Sequence, residues 1–133
     1  MADAKMRSER PLSPHLSVYR LSLVMVMSGA HRISGAVLYF GMLLLVWWLV
    51  AASTSPRDFD LINGLFGTWI GRLVLFGFTW ALFHHLLGGI RHLIWDTGRG
   101  LGKYERELFA RLTIIGSISL TVVVWLIGIM LRG

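Results

Sequence analysis

The chain has 133 residues, of which 55% are hydrophobic and 15% charged, with a mean hydropathy of +0.65. A soluble domain must leave a large polar surface in water, so these proportions point to a membrane protein, and the length allows one compact unit rather than two soluble domains. The absence of cysteine excludes disulfides, zinc–thiolate sites and cysteine-held iron–sulfur clusters within the chain, while the net charge of +6 falls beside apolar runs, where it serves as an orientation signal rather than a nucleic-acid surface.

The opening stretch, MADAKMRSER, has no apolar run behind its first charges and does not read as a signal peptide. Asp3 and Glu9 also make it a poor organellar transit sequence. A bacterial cytoplasmic (inner) membrane is the simplest address, ahead of the mitochondrial inner membrane. Residues 1–22 are expected to form a cytoplasmic or interfacial segment, in which Pro14 disfavours helix just before it.

Crossing the hydrocarbon core takes about 20 largely apolar residues. The first span is expected over about 23–52, interrupted only by Ser28, His31, Arg32 and Ser34. Ser53-Thr54-Ser55-Pro56 ends it, with Ser55 suited to cap a new helix and Pro56 to its first position. Residues 57–68 read as a short connecting or interfacial helix. The second span is expected over about 69–95, closed by Asp96-Thr97-Gly98, and the third over about 112–131. The fold class is therefore an all-α membrane protein, one anchor domain over 1–133 with three transmembrane helices.

Lys5, Arg7, Arg10 and Arg20 precede the first span, and Arg99, Lys103, Arg106 and Arg111 separate the second from the third. Arg57, Arg72 and Arg132, partly offset by Asp58 and Asp60, lie at the opposite ends. The positive-inside rule puts the N-terminus inside and the C-terminus outside.

Ionisable groups inside a span are costly and mark function, and two clusters occur here. In the first span Ser28 and Arg32 lie one turn apart, with His31 adjacent and Gly35 a turn further on. This suits a polar pocket for an anionic or carbonyl-bearing ligand; the plainer reading has Arg32 snorkelling to headgroups and His31 bonding a neighbouring helix. In the second span His85 and His92 are two turns apart, with Gly88 and Gly89 between them and Asp96 continuing the stripe. Such a face has a slot for a planar macrocycle, with imidazole as iron ligand and Arg91 or Arg32 meeting a propionate. The plainer reading is histidines bonded to neighbouring carbonyls, with glycines that permit close helix packing. His84 is turned by about 100° from His85 and is expected to face lipid or the third helix. A second axial imidazole would come from His31 or from a partner subunit.

Three segments, Arg10-Pro11-Leu12-Ser13-Pro14-His15-Leu16 with Tyr19, Ser28-x-x-His31-Arg32-Ile33-Ser34-Gly35, and His85-x-x-x-Gly89-Ile90-Arg91-His92-Leu93 with Asp96-x-Gly98, resemble the cytochrome b membrane-anchor subunits of succinate dehydrogenase, respiratory complex II. The resemblance covers nearly the whole chain except the third helix, where it is general. It implies a subunit that binds haem b and forms part of a ubiquinone site, while the succinate active site lies in another chain. It also implies three partners: a second small anchor supplying the other haem ligand, an iron–sulfur subunit and a flavoprotein. By the same resemblance His85 is the axial ligand of the haem iron, and His31, Arg32 and His92 surround the propionates. Ser28 and Arg32 line the quinone site. A fumarate reductase anchor using a low-potential quinone and a small proton- or ion-translocating membrane protein are the alternatives. The latter would need a polar path that the third span, without ionisable residues, does not continue.

Overall fold

The computed structural model describes residues 20–132; the Arg10-to-Tyr19 motif and most of the expected surface segment lie outside them. Four helices follow in order: α1 (Leu23–Thr54), α2 (Pro56–Gly67), α3 (Trp69–Asp96) and α4 (Lys103–Arg132). There is no strand among the described residues. Helices α1, α3 and α4 are each long and apolar enough to cross a membrane, which gives the expected all-α, three-span fold. They contain 32, 28 and 30 residues, or about 42–48 Å at 1.5 Å per residue, against a hydrocarbon core of about 30 Å. Each therefore runs past the core at its ends.

Helix α4 starts at Lys103, well before the apolar run expected from about Leu112. Hydropathy marks only the crossing, whereas Lys103, Glu105, Arg106, Glu107, Ala110 and Arg111 are good helix formers that extend the helix beyond it. Glu105 Oε2 accepts the Gly102 backbone N–H at 3.1 Å, satisfying a donor at the helix start. The preceding turn uses Gly98 and Gly100 at φ of 77° and 72°, where an L side chain would be strained. Trp95 Nε1 donates to Gly100 O at 3.0 Å and ties the turn back to α3.

Burial is inverted relative to a soluble bundle. Large apolar side chains cover the outside of α1, α3 and α4, while Ser34, Gly41, Ala81, Gly88, Ala110, Thr113, Ser117 and Thr121 are buried. Lipid is as apolar as leucine, so helices associate through small residues that let backbones approach. The α4 hydroxyls remain hydrogen-bonded inside the bundle by donating within their own helix: Thr113 to Phe109 O, Ser117 to Ile114 O and Thr121 to Ser117 O. Trp125 Nε1 crosses to Thr79 Oγ1 at 3.3 Å and links α4 to α3.

Helix α2 begins as the sequence indicates. Ser55 Oγ accepts the Asp58 N–H at 3.3 Å and Pro56 occupies the first turn. Its Ile62 is fully buried, and Trp48 Nε1 donates to Asn63 Oδ1 at 3.1 Å. At the sharp α2–α3 corner, a Cβ on Gly71 would strike the backbone at Leu65 O and Phe66 Cα. Gly71→Ala is therefore expected to cost about 1–3 kcal/mol through overpacking. Gly64→Ala, where a Cβ meets nothing within 4 Å, serves as the control. Thermal unfolding in detergent checks this; equal melting temperatures for the two variants contradict it.

Helices α1 and α3 run antiparallel, with Gly41 opposite Phe78, Gly35 opposite His85 and His31 opposite Gly88. That crossing brings the two polar clusters of the sequence to one level of the bundle.

Candidate functional site

The cluster is built on His85. Its Nδ1 lies 3.1 Å from His31 O and 3.2 Å from Ser34 Oγ, and Ser34 Oγ donates to His31 O at 2.8 Å. A carbonyl only accepts, and the single hydroxyl proton of Ser34 is already committed to that carbonyl. Nδ1 must therefore carry the proton in both contacts. In a neutral imidazole this leaves Nε2 with its lone pair available, and Nε2 makes no hydrogen bond among the described residues. A ring held through Nδ1–H by a backbone carbonyl is the arrangement typical of histidines that bind metal through the other nitrogen.

His31 stacks on His85, with ring centroids 4.0 Å apart and planes inclined by 13°. Two rings stacked face to face at this spacing cannot, as placed, meet one metal ion from opposite sides. His31 Nε2 is buried without a hydrogen-bond partner among the described residues, a donor or acceptor left open for a ligand atom. His92 approaches the His31 ring edge-on at 5.3 Å and Trp95 at 5.2 Å, and its own side chain is exposed. The helix crossing thus joins His31, His85 and His92. Ser34, buried at the centre of these contacts, is the member whose direct role the sequence did not reveal. Its signal was its place in the polar interruption of the first span.

The glycines act differently from the slot expected between His85 and His92. A Cβ on Gly88 would collide with the His31 ring, so that space is already filled, whereas Gly89 faces open space. Gly35 gives the His85 ring room: a Cβ there would come within 3.1 Å of its Cε1.

Ser28 and Arg32 lie one turn apart on α1. Ser28 is half-buried, Arg32 is exposed, and neither has a hydrogen bond or ion pair with another described residue. They stand beside the histidine cluster as polar groups with no such partner among the described residues. Asp96 is exposed at the end of α3.

A second polar face lies about 100° round α3. His84 and Arg91 are 2% and 3% exposed, and among the described residues both ring nitrogens of His84 and Nε and Nη1 of Arg91 lack hydrogen-bond partners. Arg91 lines a cavity of about 130 Å³ with Phe109 and Thr113 of α4, and its guanidinium lies 5.0 Å from the Trp95 ring. Seven residues on a helix return to within about 20°, so His84 shares that face. Of the two orientations expected for His84, burial rules out lipid.

Residues 6–126 match a family model described as succinate dehydrogenase/fumarate reductase transmembrane subunit. The chain belongs to this family. Within the family it is similar to the succinate dehydrogenase cytochrome b556 subunit of Paracoccus denitrificans, at 46% identity over 122 residues, which cover 92% of this chain and 93% of the relative. The Rickettsia felis cytochrome b556 subunit is 34% identical over 118 residues, 89% of this chain and 92% of its own length. The mitochondrial cytochrome b560 subunit of Sus scrofa is 41% identical over 99 residues, 71% of this chain and 57% of its own length. These relatives are all named as succinate dehydrogenase subunits, which does not favour the fumarate reductase alternative. Family membership also sets aside the small ion-translocating protein.

Proposed function

We propose that this chain is the anchor through which a succinate:ubiquinone oxidoreductase holds haem b and presents electrons to ubiquinone, with His85 as an axial ligand of the haem iron. The observation that carries the proposal is the pairing of His85: Nδ1 lies within hydrogen-bond distance of His31 O and Ser34 Oγ, and Nε2 has no partner among the described residues. The relatives' designation as cytochromes b supports the same assignment. The donor set fits a haem, since the open Nε2 of His31, the exposed imidazole of His92 and the guanidinium of Arg32 suit propionate carboxylates. When bound, haem b supplies a one-electron redox centre. Because His31 stacks on His85, a second histidine ligand to the haem would come from a separate small anchor subunit rather than from His31.

Ser28 and Arg32 form this chain's side of the quinone site. The Ser28 hydroxyl donates a hydrogen bond to a quinone oxygen, and Arg32 opposes the negative charge that develops as the ring is reduced. An iron–sulfur subunit delivers the electrons, and a flavoprotein carries the succinate active site, so this chain contributes no residue to succinate oxidation. Both clusters lie towards the inner side if the N-terminus is inside, as the flanking Lys and Arg residues direct. The address is then the bacterial cytoplasmic membrane.

Purification through an affinity tag on this chain tests the assignment. Three further subunits and succinate-dependent quinone reduction are expected in the same fraction. A chain that purifies alone from its native membrane, with that activity left elsewhere, overturns it. Removing the Ser34 hydroxyl should weaken haem retention by roughly 10–100-fold, as for loss of other groups that orient a metal ligand. Haem transfer from the Ser34→Ala complex to an excess of apoglobin measures this, and an unchanged transfer rate contradicts the orienting role.

A further inference from the structure

At the α2 end of the bundle, far from the histidines, a groove of about 670 Å³ runs between α3 and α4. A second hollow of about 320 Å³ adjoins it through Phe66, Leu75 and Arg132. Arg72 stands in the first turn of α3 and Arg132 in the last turn of α4, so the antiparallel helices bring both residues to the same end of the groove they line. Neither has an ion pair among the described residues, and no Asp or Glu lines either hollow. Away from this end the groove is walled by Leu75, Val124, Gly128 and Ile129.

We propose that this groove binds an anionic phospholipid of the surrounding bilayer, its phosphate on Arg72 and Arg132 and one acyl chain along the apolar wall. The division of the surface carries the proposal. Two unpaired cations at the end of a membrane-crossing pair call for an anion at headgroup depth, and the wall beside them calls for hydrocarbon. An apolar partner helix would cover the wall yet leave both guanidiniums unpaired. Trp69, 76% exposed at the start of α3, belongs to the same level, where aromatic side chains meet headgroups.

The test is native mass spectrometry of the purified complex after incorporation into nanodiscs of phosphatidylcholine with a minority of phosphatidylglycerol. Wild type should retain phosphatidylglycerol roughly thirtyfold more strongly than the R72Q/R132Q double variant, the effect of two lysine- or arginine-type contacts near a membrane surface. R72K/R132K should keep most of the retention, which separates lost charge from lost folding. Gly128→Leu keeps both arginines and projects into open space, since a Cβ there meets nothing within 4 Å. It should obstruct the acyl chain and lower retention. Equal retention in wild type and R72Q/R132Q, unchanged retention in Gly128→Leu, or crosslinking of a photoreactive residue at position 129 to polypeptide instead of lipid would overturn the proposal.

Discussion

His85→Ala is expected to abolish the b-type optical band of the purified complex. Removing an iron ligand should exceed the roughly 10–100-fold weakening expected from loss of a group that merely orients one. The geometry makes the result specific to one nitrogen. Nδ1 of His85 is spent on His31 O and Ser34 Oγ, so only Nε2 can act as ligand. His84→Ala, one residue away, faces α4 with Arg91 and should leave the band in place. Loss of the band in His84→Ala with retention in His85→Ala would mean that the second polar face of α3 meets the haem.

Arg32→Leu is expected to lower quinone reduction by about 10²–10³-fold, the usual effect of removing a group that stabilises charge formed during a reaction. Ser28→Ala should lower it by about tenfold, near the upper net worth of one hydrogen bond. Succinate oxidation with an artificial acceptor should persist in both variants, because that chemistry is assigned to other subunits. The comparison decides between mechanism and assembly. Selective loss of quinone reduction supports a quinone-facing role for the α1 pair, whereas equal loss of both activities indicates that the complex has failed to assemble.

Much of this architecture was legible in the sequence because a bilayer imposes a simple length requirement. Long apolar runs mark α1, α3 and α4, and Ser55-Pro56 marks the start of α2 by local capping chemistry. The N-terminal part of α4 was hidden because Lys103 to Arg111 continue the helix without continuing the apolar run. Helical arithmetic also separated His84 from His85, but angle alone leaves two faces open, and burial against α4 is a property of packing. Likewise, the Gly88-Gly89 pair signals close approach without saying what approaches. The α1–α3 crossing seats His31 against Gly88 and stacks it on His85, a relation that depends on two helices far apart in sequence. The importance of Ser34 followed from that crossing, which turns an ordinary hydroxyl in an apolar span into a partner of His85 Nδ1.

The polar interior has a common physical logic. Hydroxyls on α4 satisfy themselves within their own helix, and His85 is satisfied through one nitrogen only. His31 Nε2 is left without a protein partner at the same crossing. Unmet polar atoms in a membrane interior are costly; they occur both on the His84–Arg91 face and at His31, and the cofactor is proposed at His31–His85 because there a histidine held through Nδ1 leaves its Nε2 open.

A dithionite-reduced minus oxidised spectrum of the intact complex, combined with a haem assay against the amount of this chain, tests the central claim most directly. One b-type haem per copy of the chain is the predicted result. A fully assembled complex of normal subunit stoichiometry that reduces quinone yet contains no haem would contradict it.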